Sequence, residues 1–248
     1  EAVERAVDEQ GEQIAAIILE PVPHNVGCIM PRQGFLEGLR KICTETGILL
    51  VFDEVISGFR HSLGGSLYDI AVPPDLTTLG KAMANGYPCA AICGQKELMA
   101  RFQTGGGDVY FAGTYNAHPV ATAAAVATME ILETGDVHQH IFRIGEEIRQ
   151  GLREIVERLG VRAHVAGFGS IFLLYFMEPP VNSYTDLLRN DSETHMAFRW
   201  GMIERGVFLH PIALKRCHVS AAHTGQDVQR TLEAAEEVLR VLRSEGRA

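Results

Sequence analysis

Apolar residues along this chain recur with two periods, and the alternation between them predicts strands and helices in turn. Residues 1–12 are charged and helical in pattern, with no convincing cap. They run straight into Ile14-Ala15-Ala16-Ile17-Ile18-Leu19, which has the length and branching of a strand buried on both faces. Pro31 begins a helix whose apolar residues Phe35, Leu36, Leu39, Ile42 and Cys43 follow helical spacing. Gly47 closes that helix, and Ile48-Leu49-Leu50-Val51-Phe52 is a second fully buried strand. Shorter strands are predicted at Leu76-Thr77-Thr78-Leu79 and at Cys89-Ala90-Ala91-Ile92-Cys93. A Gly-rich loop at residues 105–107 lacks the strand-to-helix context of a dinucleotide fingerprint, and an Ala-rich helix follows from Pro119 to Leu132.

Gly135 and Asp136 mark a boundary. Beyond it Ile141, Ile144, Ile148, Leu152, Ile155 and Leu159 form one face of a long amphipathic helix. A strand pair follows around Ala163-His164-Val165 and Ser170–Tyr175, then a helix over 192–205. The last helix starts at Thr224, with Asp227 three residues on as a variant capping box. Strands alternating with helices imply an α/β class with a largely parallel sheet in residues 1–135, and residues 136–248 read as a smaller α+β domain. The chain opens with its αβ unit already under way, which suggests that sequence is missing upstream.

Composition narrows the function classes. The 248 residues carry 22 basic and 31 acidic side chains, a net charge of −9, so nothing draws the chain to nucleic acid or to an anionic membrane. No window approaches the roughly 18 unbroken apolar residues of a membrane span. The first residues carry no basic region followed by an apolar core, so no signal peptide is visible. The five cysteines, Cys28, Cys43, Cys89, Cys93 and Cys217, are odd in number and irregularly spaced. They read as free buried thiols in a reducing cytoplasm rather than as disulfides or a metal site. His138 and His140 lack a third ligand and read as surface residues.

Ligands of open α/β sheets lie beyond the carboxyl ends of the strands, which directs attention to Glu20, Asp53 and Lys81. Lysine is scarce, at Lys41, Lys81, Lys96 and Lys215 only. Lys81 follows a strand among small residues that let a flat cofactor approach the backbone, and a desolvated amine there is freed to attack a carbonyl. On that window alone an ordinary exposed lysine after a turn is the commoner reading. Asp53 shifts the balance: a carboxylate ending a buried strand needs a partner, either a protonated pyridine nitrogen or an arginine. Val55 shares its face if the extended conformation persists, and could pack under a ring. Lysine and aspartate together are what pyridoxal phosphate requires, one to hold the aldehyde and one to keep the ring protonated.

With these residues in hand the chain resembles the class III (ω-type) aminotransferases, and within them the glutamate-1-semialdehyde aminomutase group. The segments that carry the likeness are Ile18-Leu19-Glu20-Pro21-Val22, Leu50–Val55, Pro74–Lys81, Ala112-Gly113-Thr114 and Val219–Thr224, together with the 28-residue spacing (81 − 53) of Asp53 and Lys81. The resemblance implies the aspartate aminotransferase-like fold type I, with a mostly parallel sheet in an incomplete large domain and a small α+β C-terminal domain. It implies pyridoxal 5'-phosphate as cofactor and no metal. Lys81 would form the Schiff base and shuttle the proton, Asp53 would pair with the pyridine nitrogen, and Val55 would pack on the ring. Thr114, beside Gly113, would bind the cofactor phosphate of a second subunit, which makes a homodimer with a shared active site the expected assembly.

The expected reaction moves an amino group between an amine or amino acid and a ketone or aldehyde. Intramolecular aminomutase or epimerase chemistry is the alternative, and a non-catalytic dimerising fragment is a third reading. Relative to the family pattern, Asn25 and His218 stand where the ornithine and γ-aminobutyrate enzymes carry a Glu and an Arg, so their carboxylate switch is expected to be absent. Lys215 replaces a Glu of the aminomutase. Lys215 or Arg216 could bind a substrate carboxylate, against a solvated basic turn as the blander reading. His24, beside Asn25, is balanced between facing substrate and lying in an exposed loop.

Overall fold

The computed structural model describes residues 1–64 and 72–248. Its contacts divide the chain into two units, Glu1–Val22 with Pro31–Gly135, and Pro23–Met30 with Asp136–Ala248.

The first unit is built on a four-stranded sheet of β1 (Ala16–Leu19), β2 (Leu49–Glu54), β3 (Leu76–Leu79) and β4 (Ala91–Gly94), in that order. The first two pairings are parallel and the last is antiparallel. Helix α1 (Ala2–Gln10) leads in, and α2 (Phe35–Thr46) crosses from β1 to β2. Because side chains alternate along a strand, the parallel register sorts the sheet into two faces. One carries Ile17, Leu19, Leu50 and Phe52, and packs on Leu36, Leu39 and Cys43 of α2 with Val3 and Val7 of α1. The opposite face carries Ile18, Val51, Asp53, Thr78 and Ile92, and Ile18 is 63% exposed.

The expectation of strands buried on both faces therefore holds for one face only, since α1 and α2 cover a single side. Helix α2 also starts four residues later than Pro31 suggests. Gly34 takes the left-handed backbone at φ 83°, a conformation that glycine adopts without strain, and this turn sets the helix start. After β4 come the short α3 (Lys96–Met99) and the Gly105-Gly106-Gly107 segment, which is a closed turn: Gly107 N–H donates to Phe102 O at 3.1 Å. Helix α4 (Pro119–Leu132) has Pro119 in its first turn, where no backbone donor is lost.

In the second unit α5 (Asp136–Leu159), α7 (Ser192–Glu204) and α8 (Gly225–Ser244) enclose one apolar core with an antiparallel sheet of β5 (His164–Ala166), β6 (Ile171–Tyr175) and β7 (Cys217–His218). The predicted face of α5 supplies Ile144, Ile148 and Leu152 to that core. A short helix α6 (Tyr184–Leu187) and the two-residue β7 carry too little periodicity to be read from sequence. The Thr224–Asp227 capping box forms as expected, and the Thr224 N–H donating to Asp227 holds that carboxyl below its usual range. Arg149, buried on α5, donates to Gly169 O at 2.7 Å and Ile171 O at 2.6 Å and so closes the turn into β6. Only Cys28 and Cys43 are buried among the five free thiols, contrary to the blanket expectation; Cys93 is exposed on the edge strand β4. Burial pushes the Cys28 thiol up to about 11.

Candidate functional site

At the carboxyl ends of β2 and β3 the parallel register sets Asp53 opposite Thr78. The half-buried Asp53 accepts two hydrogen bonds, from the Val55 backbone N–H and from the Thr78 hydroxyl, both at 3.1 Å and both on Oδ1. Oδ2 accepts none among the described residues. Beyond β3 the chain passes through Gly80 into a tight turn over Lys81–Ala84. Gly80 lies against Val55: a Cβ built on it would be 3.5 Å from Val55 Cγ1 and 3.6 Å from Cys89 O.

Lys81 itself sits at φ 46°, in the left-handed region that a residue with a Cβ seldom enters. Its side chain is exposed and makes no ion pair among the described residues. Asp53, Val55 and Lys81 are thus gathered at one edge of the sheet, and Thr78 joins them. Thr78 escapes sequence reasoning because its partnership with Asp53 depends on strand register, which no local pattern reveals.

Helix α4 packs against the Lys81 turn, and an open, mostly apolar pocket of about 310 Å³ is lined by Tyr87, Pro88, Tyr115, His118, Val120 and Ala121. Gly113 and Thr114 lie on the exposed segment leading into it. Gly113 is hemmed in by the Asn116 side chain, whose Oδ1 would be 2.7 Å from an added Cβ. No hydrogen bond joins Thr114 to the Asp53–Lys81 cluster among the described residues.

The sequence-predicted substrate residues fall in the second unit. His24 is completely buried, which corrects the exposed-loop reading; its ring lies 6.3 Å from that of His218. Asn25 is exposed, and its Oδ1 accepts from Lys215 Nζ at 3.1 Å and closely from Arg216 Nη1. Lys215 and Arg216 therefore converge on one oxygen instead of spreading into solvent.

Their segment is held from below by Arg199, a buried guanidinium that donates to His210 O at 2.6 Å and to Lys215 O. Arg199 escapes sequence reasoning, although a charge between Phe198 and Met202 on the apolar side of a helix is a signal for it. His140 Nε2 lies 2.8 Å from His223 O and ties α5 to the turn before α8, so it is a structural link rather than a loose surface histidine. Among the described residues no group of three or more His, Cys, Asp or Glu could hold a metal ion.

A sheet edge that gathers aspartate, valine and a strained lysine defines a class, and the comparisons give it. Residues 1–233 match the class III aminotransferases, and the chain belongs to that family. Over 98% of its length it is 41% identical to glutamate-1-semialdehyde 2,1-aminomutase of Methanothermobacter thermautotrophicus, of which it covers 58%. An omega-transaminase from Sphaerobacter thermophilus superposes with a TM-score of 0.90 at 29% identity, covering 97% of this chain and 55% of that one. The FumI protein of Sphingopyxis sp. MTA144, determined in its PLP internal aldimine form, superposes at 0.83 with 28% identity, over 98% and 56% of the two chains. The fold is thus the type I fold of these transaminases, and the chain spans little more than half the length of the relatives it matches.

Proposed function

We propose that this chain carries the cofactor-anchoring part of a pyridoxal-phosphate-dependent class III aminotransferase, which exchanges an amino group for a carbonyl oxygen between an amine or amino acid and a ketone or aldehyde. The observation that carries the reading is the Asp53 carboxylate, fixed through Oδ1 with Oδ2 left open, one strand away from the strained Lys81. The donor set fits the cofactor. An open carboxylate oxygen suits a protonated ring nitrogen, an unpaired amine suits an aldehyde, and Val55 against Gly80 offers an apolar surface to a ring.

When bound, the cofactor supplies an electrophilic aldehyde and a ring that accepts electron density. Lys81 would hold it through its amine and, once displaced by substrate, carry the proton between donor carbon and cofactor. Asp53 would keep the proton on the ring nitrogen through Oδ2. Val55 would fix the tilt of the ring. Thr114 would donate to the phosphate held by a second copy of the chain, and the working unit would be a homodimer acting in the cytoplasm. Its support is the aromatic surface around Thr114, where Tyr110 is 77% and Tyr115 is 80% exposed. No helix among the described residues is long and apolar enough to cross a membrane.

Incubating the chain with pyridoxal phosphate, reducing with borohydride and mapping the adduct by mass tests the assignment. A label on Lys81 supports it. No label on Lys81, either in this chain alone or in a polypeptide extended to the length of the relatives, overturns it in favour of a non-catalytic chain.

The 41% identity to an aminomutase favours a second reading, intramolecular amino transfer. Product formed without any added carbonyl acceptor would select that reading. Label from a ¹⁵N donor appearing in an added keto acid would select intermolecular transfer.

A further inference from the structure

The Asp53–Val55–Thr78 contacts carry a role for Thr78, to which the sequence pattern assigned none. A half-buried carboxylate is stabilised by every donor it meets, and among the described residues Asp53 has two, both neutral and both on Oδ1. The Val55 N–H comes from Asp53's own strand two residues on. By itself it leaves the side chain free to swing about its own bonds. The Thr78 hydroxyl comes from the neighbouring strand, in register with Asp53, on a β-branched side chain whose rotation is restricted. Together they fix the carboxylate from two directions.

The rest of that sheet face is apolar, with Ile18, Val51, Leu76 and Ile92. Glu54 lies on the opposite face, and the nearest described basic residue along the chain is Arg60, beyond the strand. Among the described residues nothing else on the face holds Asp53 in place.

We propose that Thr78 is a positioning residue: its hydroxyl locks the Asp53 carboxylate against Val55 N–H so that Oδ2 is presented outward to a cationic donor. That the donor is a pyridinium nitrogen rests on the proposed cofactor; the locking does not.

The test uses the full chain with Thr78→Val, which keeps shape and loses the donor, and Thr78→Ser, which keeps the donor. Hydrogen exchange at the Val55 amide, followed by NMR, reports whether Asp53 Oδ1 stays in place. Exchange should quicken about tenfold in Thr78→Val and return to the parent rate in Thr78→Ser. The Leu50 amide, which donates to Asp75 rather than Asp53, should not change. Thr78→Ala reads the same loss if the valine variant does not fold.

Equal Val55 exchange in all variants overturns the proposal, whatever the cofactor does. Faster exchange restored by serine supports it, and if no borohydride adduct then forms on Lys81 in any variant, it is the cofactor reading that falls. In the active enzyme Thr78→Val should lower kcat about tenfold with KM nearly unchanged and alter the absorption band of the bound cofactor, and serine should recover both.

Discussion

On α7, Arg199 Nε donates to Nε2 of His195 across one helical turn at 2.7 Å, with both side chains almost completely buried. The bond fixes the protonation state of the histidine. A ring nitrogen that accepts from a guanidinium carries no proton, so the imidazole is neutral and its hydrogen sits on Nδ1. Burial first, and the Arg199 charge second, push His195 down to about 3.

A pH dependence of stability follows. The folded value lies below the unfolded one near 6.5, so as pH falls the unfolded chain takes up the proton first. The contribution is whole above pH 6.5 and is lost progressively between there and about pH 3. Urea unfolding at pH 7 and pH 4.5 should show the parent losing about 2 kcal/mol more than His195→Gln, which keeps an acceptor for Arg199 and cannot titrate. An acid limb of equal slope in the two proteins would contradict the assignment.

Arg199 is itself uncompensated. Its acceptors, His195, His210 O and Lys215 O, are all neutral, and no carboxylate among the described residues pairs with it. Arg199→Met keeps the length and removes the donors, leaving two part-buried carbonyls and the buried His195 ring short of partners. It should destabilise the chain by about 3 kcal/mol and speed proteolysis within residues 205–217. Arg199→Lys should recover only part of the loss, because a single ammonium cannot span the acceptors of a planar fork.

Those two residues mark where the sequence stops being informative. Lys81 and Asp53 stand out because chemistry-bearing side chains just past buried strands are conspicuous and because the sheet class predicts where ligands bind. Leu76–Leu79, Pro119–Leu132 and the Thr224 cap are legible from local signals alone. What local signals do not contain is register and covering. Thr78 meets Asp53 only because β3 pairs with β2 in one alignment, and Ile18 is bare because α1 and α2 both lie over the other face. His24 reads as a loop residue, yet the segment Pro23–Met30 leaves the first unit and joins the second, where the His24 ring is buried. A short stretch of hydropathy cannot show such an excursion.

Asp75 ties the first unit together. It is buried, with Oδ2 accepting from Leu50 N–H at 2.6 Å and Arg40 Nη1 at 2.9 Å, and Oδ1 from Gln95 Nε2 at 2.7 Å. One carboxylate thus joins β2, α2 and the start of α3. In Asp75→Asn one of the oxygens becomes a donor facing other donors, which should destabilise the chain by about 3 kcal/mol and raise hydrogen exchange at the Leu50 amide. Near-parent stability by urea unfolding would show that the three donors find water or other acceptors at little expense.

Lys81 carries a conformational cost that its chemistry would explain. At φ 46° a side chain with a Cβ is strained by about 1 kcal/mol, and glycine is not. Lys81→Ala and Lys81→Gly both remove the amine, so neither should form a borohydride-fixed cofactor adduct at this position. They should not show glycine's usual penalty: relief of about 1 kcal/mol of strain offsets the roughly 0.4–1 kcal/mol that glycine costs through its freedom when unfolded, so Lys81→Gly should unfold at a urea concentration equal to or slightly above that of Lys81→Ala. A Lys81→Ala protein more stable than Lys81→Gly by about 1 kcal/mol, the ordinary cost of glycine, would mean that the left-handed turn is unstrained and that the placement of the amine costs the fold nothing. The expected outcome means that the fold carries strain at the residue whose amine the proposed chemistry would use, as active-site backbones often do.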